Sequence, residues 1–289
     1  MELIRIENLY FSYKTGTQTL LEDISDFALC GIDLKIHSGE WVAIIGANGS
    51  GKSTLLKQLN ALLLPTKGDV WISGHNTRDI TSLRQIRSSV GMVFQVPDTQ
   101  IITTVVEEEV AFGPENLGVS EKELRERVER ALEITGLSPL RNRSPQYLSE
   151  GQKQLLAIAS ILAMNPGCLV LDEATSMLDP RSRENVLSTV RKLHGEGMTV
   201  VTATHNMDEA AQAQRIIVLS EGRIEFDAGP TELFSKEKLL SDLKLGLPYP
   251  AKIASRLKYL LENDPATLLT INALSDAIVM TLQKRGVKG

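Results

Sequence analysis

The sequence predicts an α/β protein built on a mainly parallel β-sheet with helices on both faces. Short apolar runs rich in β-branched residues recur between segments with helical patterning. These runs are 41–45, 70–72, 90–94, 168–171, 199–203 and 216–219. Strands that are apolar on both faces and separated by helices are typical of a parallel sheet covered on two sides.

Length and composition set the size and class of the protein. The chain has 289 residues, 42% of them hydrophobic, and 31 Lys+Arg against 36 Asp+Glu give a formal net charge of −5. This balance predicts a soluble globular protein of one large domain, or one and a fraction. The pI near 5.5 and the lack of a long basic run argue against a nucleic-acid partner.

The sequence also predicts where the protein resides. Glu2 and Glu7 interrupt the N-terminus, which therefore lacks the apolar stretch of a secretion signal. The longest apolar runs, such as 155–164, reach half of the roughly 20 residues that span a bilayer. Cys30 and Cys168 lie far apart without metal-ligand spacing, so reduced thiols are expected and a disulfide is a poor second. We expect a cytoplasmic protein with no zinc site and no span of its own.

A helical subdomain is predicted over about residues 97–166, where the strand pattern disappears. The capping box Ser120-Glu-Lys-Glu123 opens a helix there, and Gly136 is a plausible stop. Helices of this kind, inserted between strands of the sheet, form a block of their own within the α/β core.

The composition changes after Gly229-Pro230, which predicts a main domain of residues 1–234 and a C-terminal helical extension of residues 235–289. Helices are expected at about 251–261 and 264–284. Apolar positions of the second helix are expected to pack on a partner surface: Leu269, Ile271, Leu274, Ile278 and Leu282.

The strongest chemical motif is Gly46-Ala-Asn-Gly-Ser-Gly-Lys-Ser53, which fits G-x-x-x-x-G-K-[ST] between a strand and a helix. Glycines let backbone N–H groups curl round phosphates, and the helix N-terminus adds partial positive charge. Lys52 would reach the β- and γ-phosphates, and Ser53 would ligate Mg²⁺. The alternative is that this segment is a glycine-rich turn that binds no phosphate.

A second motif is the acidic pair Asp172-Glu173 at the end of the buried strand 169–171. One carboxylate would hold Mg²⁺ and the next would face the attacking water. We assign Asp172 to the metal and Glu173 to polarising water as general base. A strand that merely ends in solvated acids is the alternative.

Further segments follow in a fixed order. They are Tyr13 near the N-terminus, Gln95 after the 90–94 strand, Leu-Ser-Glu-Gly-Gln at 148–152 before a helix, Ser-Met-Leu-Asp at 176–179, and His205 after the 199–203 strand. Taken alone, each motif has an ordinary explanation. Gln95 is then a polar strand end, Tyr13 a packing residue, and His205 a histidine beside an N-cap at Asn206. Asp179-Pro180 is an N-cap with proline at N1, and Ser149 with Gln152 is a capping box.

In this order the motifs resemble those of the ABC-type ATPases, over about residues 3–230. The resemblance implies that Gln95 senses Mg²⁺ and the attacking water, and that His205 contacts the γ-phosphate. It also implies that Tyr13 stacks on adenine and that Asp179 communicates across a dimer. The segment at 148–152 would bind the γ-phosphate held by the other subunit, so that a head-to-tail dimer completes both sites.

The expected site is therefore a P-loop ATPase site of the ABC type that uses ATP and Mg²⁺. Residues expected to contact ATP are Tyr13, Gly46, Asn48, Gly49, Ser50, Gly51, Lys52, Ser53, Thr54, Ser149, Gly151, Gln152 and Asp179. Those expected to hold Mg²⁺ are Ser53, Gln95 and Asp172, and those expected to act in hydrolysis are Glu173, His205, Gln95 and Lys52.

Two features depart from the family pattern. Glu150 stands where glycine is usual, and a carboxylate beside a triphosphate should slow this site unless it points away or is paired. The stretch 21–38 looks longer than the usual connection between the adenine aromatic and the P-loop.

Within the ABC ATPases, the segments 93–101 and 106–118 resemble the energy-coupling factor (ECF) transporter ATPases, which include cobalt and nickel importer subunits. The resemblance implies a peripheral subunit on the cytoplasmic face of the membrane, powering import of vitamins or transition-metal ions. Its implied partners are a second ATPase chain, a transmembrane coupling protein and a membrane substrate-binding protein. A conventional ABC transporter ATPase is the main competing interpretation, followed by a soluble ABC protein acting on nucleic acid or ribosomes and by a regulatory module that only binds ATP.

Overall fold

The computed structural model describes residues 1–14, 26–261 and 263–284. Its strands are β1 (Glu2–Phe11), β2 (Leu29–His37), β3 (Trp41–Ile45), β4 (Lys67–Ile72), β5 (His75–Asn76), β6 (Val90–Val93), β7 (Cys168–Asp172), β8 (Thr199–Ala203), β9 (Arg215–Ser220) and β10 (Arg223–Ala228). Its helices are α1 (Lys52–Gln58), α2 (Leu83–Ser89), α3 (Val106–Leu117), α4 (Glu121–Thr135), α5 (Glu150–Ala163), α6 (Pro180–Gly195), α7 (Met207–Ala210), α8 (Pro230–Phe234), α9 (Glu237–Asp242), α10 (Tyr249–Arg256) and α11 (Ile271–Lys284).

The central sheet has the strand order β10-β9-β3-β8-β7-β6. Strands β9, β3, β8, β7 and β6 are parallel, and β10 adds an antiparallel edge. Every residue of β3 and of β7 is buried, as expected for strands covered on both faces. The predicted parallel sheet is confirmed, and it brings the carboxyl ends of β3, β7 and β8 to one edge.

The run at 70–72 does not belong to this sheet, so its prediction as a parallel strand was wrong. It forms the end of β4 in a separate antiparallel sheet of order β2-β1-β4-β5. This strand is covered on one face only, because Val70 and Ile72 are buried whereas Trp71 between them turns outward. The Arg5 guanidinium lies over Trp71, with its Cζ 5.2 Å from the centroid of the indole ring. Three residues are too few to distinguish such alternation from an all-apolar run.

Helices α3, α4 and α5 follow β6 in the range 97–166 predicted to be helical. Helix α4 begins and ends as predicted, because the Ser120 hydroxyl accepts a hydrogen bond from the backbone N–H of Glu123 at 3.3 Å and Gly136 closes the helix with a φ of 70°. This φ is readily adopted by glycine, which has no Cβ. The stretch 21–38 contains β2, and residues 21–25 of it lie outside the described residues.

The described residues after 234 include α9, α10 and α11. Helix α10 ends at Arg256 instead of near residue 261, and the last helix is also shorter than predicted. Asp264 caps only the short 3₁₀ turn Pro265–Thr267, and α11 begins at Ile271 instead of near residue 264. Leu268, at φ −101° and ψ 60°, is not helical, and its side chain is buried in the small core of the extension. Within the described ranges, no helix is long and apolar enough to cross a membrane.

Candidate active site

The P-loop leaves β3 at Gly46 and enters α1 at Lys52. Gly46 has a φ of 153°, and a Cβ there would lie 2.1 Å from the Leu219 carbonyl oxygen of β9. Any larger residue would push the loop off the sheet, so this position requires glycine. The buried Ser50 hydroxyl lies in the same loop and has no hydrogen-bond partner among the described atoms.

Lys52 is buried under this loop. Its Nζ donates to the carbonyl oxygens of Gly46 at 3.0 Å and Ala47 at 3.1 Å. The same atom lies 3.7 Å from Oε1 of Glu173. The loop thus holds a fixed cation at the edge of the sheet where the acidic pair ends β7.

Ser53 and Asp172 meet as the sequence predicts, since the Ser53 hydroxyl donates to Oδ1 of Asp172 at 2.8 Å. Burial raises the pKa of the Asp172 carboxyl, while the Ser53 hydrogen bond opposes that rise and the neighbouring Glu173 adds to it. The hydroxyl beside this buried carboxylate does not compensate its negative charge. A divalent cation bound there would do so.

Glu173 lies between two basic side chains. Its Oε2 is 3.4 Å from Nδ1 of His205, and its Oε1 faces Lys52. Its backbone has a φ of 50°, and its N–H donates to the Ala203 carbonyl of β8 at 3.0 Å. A non-glycine residue in this region is strained, and such strain is common where a side chain must be aimed at a reaction.

Gln95 and Tyr13 approach the site from two other directions. Nε2 of Gln95 donates to the Ser176 hydroxyl at 3.1 Å, so its described bond is to the turn after Glu173 and not to Asp172. The Tyr13 hydroxyl lies 2.9 Å from Oγ1 of Thr54 on α1, which leaves its ring exposed beside the P-loop helix.

The segment at 148–152 caps α5. The Ser149 hydroxyl accepts from the N–H of Gln152 at 3.3 Å, and the Gln152 side chain accepts from the N–H of Ser149 at 2.9 Å, which confirms the predicted capping box. Gly151 lies against α6, where an added Cβ would come 2.5 Å from the Cβ of Ser182. Within one chain, these side chains bond to each other and their helix packs on α6.

Asp179 likewise caps α6, accepting from the N–H groups of Arg181 at 3.0 Å and Ser182 at 3.1 Å. Hydrogen bonds from Ser182 lower the pKa of the Asp179 carboxyl. The N-cap interpretation of this residue is therefore correct, and it leaves room for a second role across a dimer.

Sequence reasoning missed Glu209, a buried carboxylate in α7. It accepts from the hydroxyls of Thr175 at 2.7 Å and Thr204 at 2.9 Å, and Arg183 lies 3.4 Å away. It thus joins the turn after Glu173, the residue before His205 and helix α6. The spacing Asn206-x-x-Glu209 resembles a surface capping box, which hides this role in the sequence.

The donor set of this edge fits a nucleoside triphosphate with a divalent cation. The glycine turn, the buried Ser50 hydroxyl without a partner and the fixed Lys52 cation suit phosphate oxygens. The Ser53 hydroxyl and the Asp172 carboxylate offer the oxygen ligands that Mg²⁺ takes, with phosphate and water for the rest. No cluster of three His, Cys, Asp or Glu side chains suited to a metal occurs in the described part of the chain.

Comparison with known proteins gives concordant matches. The ABC transporter family profile matches residues 29–176. The chain is 52% identical to the energy-coupling factor transporter ATP-binding protein EcfA1 of Symbiobacterium thermophilum, over 87% of this chain and 88% of that one. It is 47% identical to the energy-coupling factor transporter ATP-binding protein EcfA of Methanosarcina acetivorans, over 89% of this chain and 90% of the relative.

Solved structures agree with the fold. The CbiO1 structure from Clostridium perfringens, described as part of the ABC transporter complex CbiONQ, has a TM-score of 0.74 and 32% identity, with 89% of this chain and 99% of that chain covered. A dimeric ATP-binding cassette bound to ADP and Pi has a TM-score of 0.68 and 33% identity, with 78% and 98% covered. Fold and motifs define an ABC-type ATPase cassette. The chain belongs to the energy-coupling factor transporter ATP-binding proteins within the ABC transporter family.

Proposed function

We propose that this chain binds and hydrolyses ATP as the energy-supplying subunit of an energy-coupling factor importer for vitamins or transition-metal ions. The observation that carries the proposal is the meeting of Lys52, Glu173 and His205, through contacts of 3.7 Å and 3.4 Å, beside the Ser53–Asp172 pair. The relatives' names supply the transport context.

The P-loop backbone and Lys52 would bind the β- and γ-phosphates, and Tyr13 would stack on adenine. Ser53, Asp172 and Gln95 would hold Mg²⁺, which would supply charge neutralisation on the phosphate oxygens. Glu173 would accept a proton from the attacking water at its carboxylate. His205, 3.4 Å from that carboxylate, would keep it oriented and contact the γ-phosphate.

The other half of each site would come from a second ATPase chain, identical or homologous. ABC cassettes work as dimers, as the similar dimeric cassette with ADP and Pi illustrates. Ser149, Gly151 and Gln152, at the N-terminus of α5, would face the partner's nucleotide, and Asp179 would lie at the junction.

Residues 1–234 would form the nucleotide-binding domain, with the helical subdomain near 97–166, and residues 235–289 a dimerisation extension. The chain would sit peripherally on the cytoplasmic face of the membrane. A transmembrane coupling protein would dock near Gln95 and the helical subdomain, and a separate membrane protein would capture the substrate. No nucleic acid takes part.

The catalytic assignment predicts that Glu173→Gln keeps ATP binding and lowers turnover by about 100-fold or more, because the amide cannot accept the proton. Nucleotide binding by fluorescence titration and phosphate release by the purified complex measure the two effects separately. Turnover that survives in Glu173→Gln would refute the assignment of the general base.

The transport assignment is tested by gentle extraction of the tagged chain from native membranes and mass spectrometry of its stoichiometric partners. We expect a second ATPase, a coupling protein and small substrate-binding membrane proteins. A conventional permease with an external binding protein would move the chain to the ordinary ABC importers, and soluble partners alone would refute the transport role.

A further inference from the structure

Glu150, the residue that departs from the family pattern, is held in an ion-pair cluster at the N-terminus of α5. Nζ of Lys153 lies 3.0 Å from Oε1 of Glu150 and 2.9 Å from Oδ1 of Asp98. The lysine side chain is only 13% exposed, whereas those of Asp98 and Glu150 are 57% and 59% exposed. One sheltered cation therefore bridges two carboxylates that reach the surface.

The position of Glu150 creates an electrostatic conflict. It is the first residue of α5, and the N-terminus of a helix attracts anions through its free N–H groups and dipole. A carboxylate placed there competes with a phosphate for the same partial positive charge. It also repels that phosphate most strongly once dimer closure excludes water.

Lys153 resolves this conflict in two ways. Its positive charge offsets the negative charge of Glu150. Its hydrogen bond holds the Glu150 carboxylate towards Lys153, which lies three residues further along the helix. The two acceptors raise the pKa of the Lys153 ammonium, the Asp98 bond contributing most, so the cation stays charged at neutral pH.

The cluster also joins α5 to the loop that follows β6. Asp98 lies in the short turn Pro97–Thr99, just after Gln95. Beside it, Nε2 of Gln154 donates to the Phe94 carbonyl at 3.2 Å. Two neighbouring residues of α5 thus contact the first part of this loop, at Phe94 and Asp98, which limits where Lys153 can place its charge.

We propose that Lys153 is a positioning residue that neutralises Glu150 and keeps it clear of the nucleotide that this chain's α5 N-terminus faces in the dimer. The proposal rests on the proposed function, because that function supplies the facing nucleotide. The Lys153–Glu150 salt bridge would then explain why the 148–152 segment can carry an acidic residue and still face a nucleotide.

A double-mutant cycle tests the proposal. Full-length chains carrying Glu173→Gln are assembled with their partner, and the ATP concentration for half-maximal dimer closure is measured by sedimentation, so that no turnover is required. Lys153→Met should raise this concentration by about fivefold, a size suited to a partly exposed ion pair. In the Glu150→Gln background, the same Lys153→Met change should have an effect of less than twofold.

Lys122→Met is the matched control, because it removes a lysine from an exposed pair with Glu126 on α4 and should leave closure unchanged. If the fivefold shift persists with Glu150→Gln, Lys153 acts through Asp98 or through folding, and the proposal is wrong. The absence of any shift with Lys153→Met, or of any ATP-dependent closure, would also overturn it. Failure of the proposed ATPase function would instead appear as lack of phosphate release by the chain with Glu173 intact.

Discussion

Asp172, which we propose binds Mg²⁺, carries a buried charge that lowers the stability of the fold. Its carboxyl is buried beside Glu173, and burial is the largest cause of its raised pKa. Such a group favours folding only while it is protonated. Its contribution is therefore fully present below the pKa of the unfolded chain and is lost as pH rises through the higher pKa of the folded protein. At neutral pH, without a cation, its charge destabilises the fold.

Asp172→Asn should therefore stabilise the nucleotide-free protein at pH 7.5 while abolishing Mg²⁺-dependent ATP binding. We expect the melting temperature to rise by about 1–3 °C, because the amide can still accept the Ser53 hydrogen bond without the buried charge. The gain should shrink as pH is lowered towards 5. Calorimetric scans across this range measure it, and a lower melting temperature at pH 7.5 would contradict the argument.

Helices α5 and α6 pack against each other on the side of the proposed site that would face the second ATPase chain. The two helices pack where Gly151 meets Ser182. Gly151 is two residues after the N-cap of α5, and Ser182 is three residues after the N-cap of α6. An added methyl group 2.5 Å from the Ser182 Cβ cannot be accommodated without a shift of the helices. The geometry of the 148–152 segment therefore depends on Asp179 and its helix.

Gly151→Ala should move α5 away from α6 and lower turnover of the assembled pair by about tenfold, since a misplacement of about 1 Å can have such an effect on a reacting site. The double variant Gly151→Ala/Ser182→Gly, which removes the clashing atoms, should recover most of the rate. Steady-state phosphate release measures both, with Ser182→Gly alone as the control. Equal losses in the single and double variants would exclude packing as the cause.

The elements that the sequence predicted correctly have signals that span several residues. The fully apolar β3 and the α4 helix with Ser120 and Gly136 at its ends are of this kind. The antiparallel placement of β4 and the break at Leu268 were not predicted, because each depends on what the chain packs against. Glu209 and Lys153 were missed for the same reason, because one partner of each, Thr175 and Asp98, lies 34 and 55 residues away in the sequence.

At the scale of the whole molecule, the C-terminal extension is attached to the cassette by burial and by polar contacts. Leu240 lies in the principal core, and Leu245 and Leu247 pack against it. The N–H of Tyr249 donates to Oδ1 of Asp208 at 2.7 Å, in the helix that follows His205. Deletion from residue 240 would therefore open the core as well as remove the proposed pairing surface, so point substitutions test pairing more cleanly.

The apolar face expected to pack is divided between inside and outside. Of the positions expected to pack, Leu274 is buried, whereas Ile271 is 78% and Leu282 44% exposed. Val279 and Met280 of α11, which were not among those positions, are exposed as well. Val279→Glu/Met280→Glu should therefore leave the melting temperature of the chain within about 2 °C, as expected for surface positions. If residues 235–289 pair the ATPase chains, the same change should weaken pairing by about tenfold or more, because it places two carboxylates in an apolar contact.

Ile80→Glu/Leu62→Glu is the matched control, since Ile80 is 79% and Leu62 46% exposed on the cassette and the double variant also gains two carboxylates. Sedimentation of the purified chains with their partner compares the dissociation constants of the two variants. Weaker pairing with the α11 variant alone would locate the dimer contact on that helix. Unchanged pairing with both variants would place the contact elsewhere and leave α10 and α11 with the role of covering the cassette. Equal weakening of pairing by both variants would indicate a general effect of added charge.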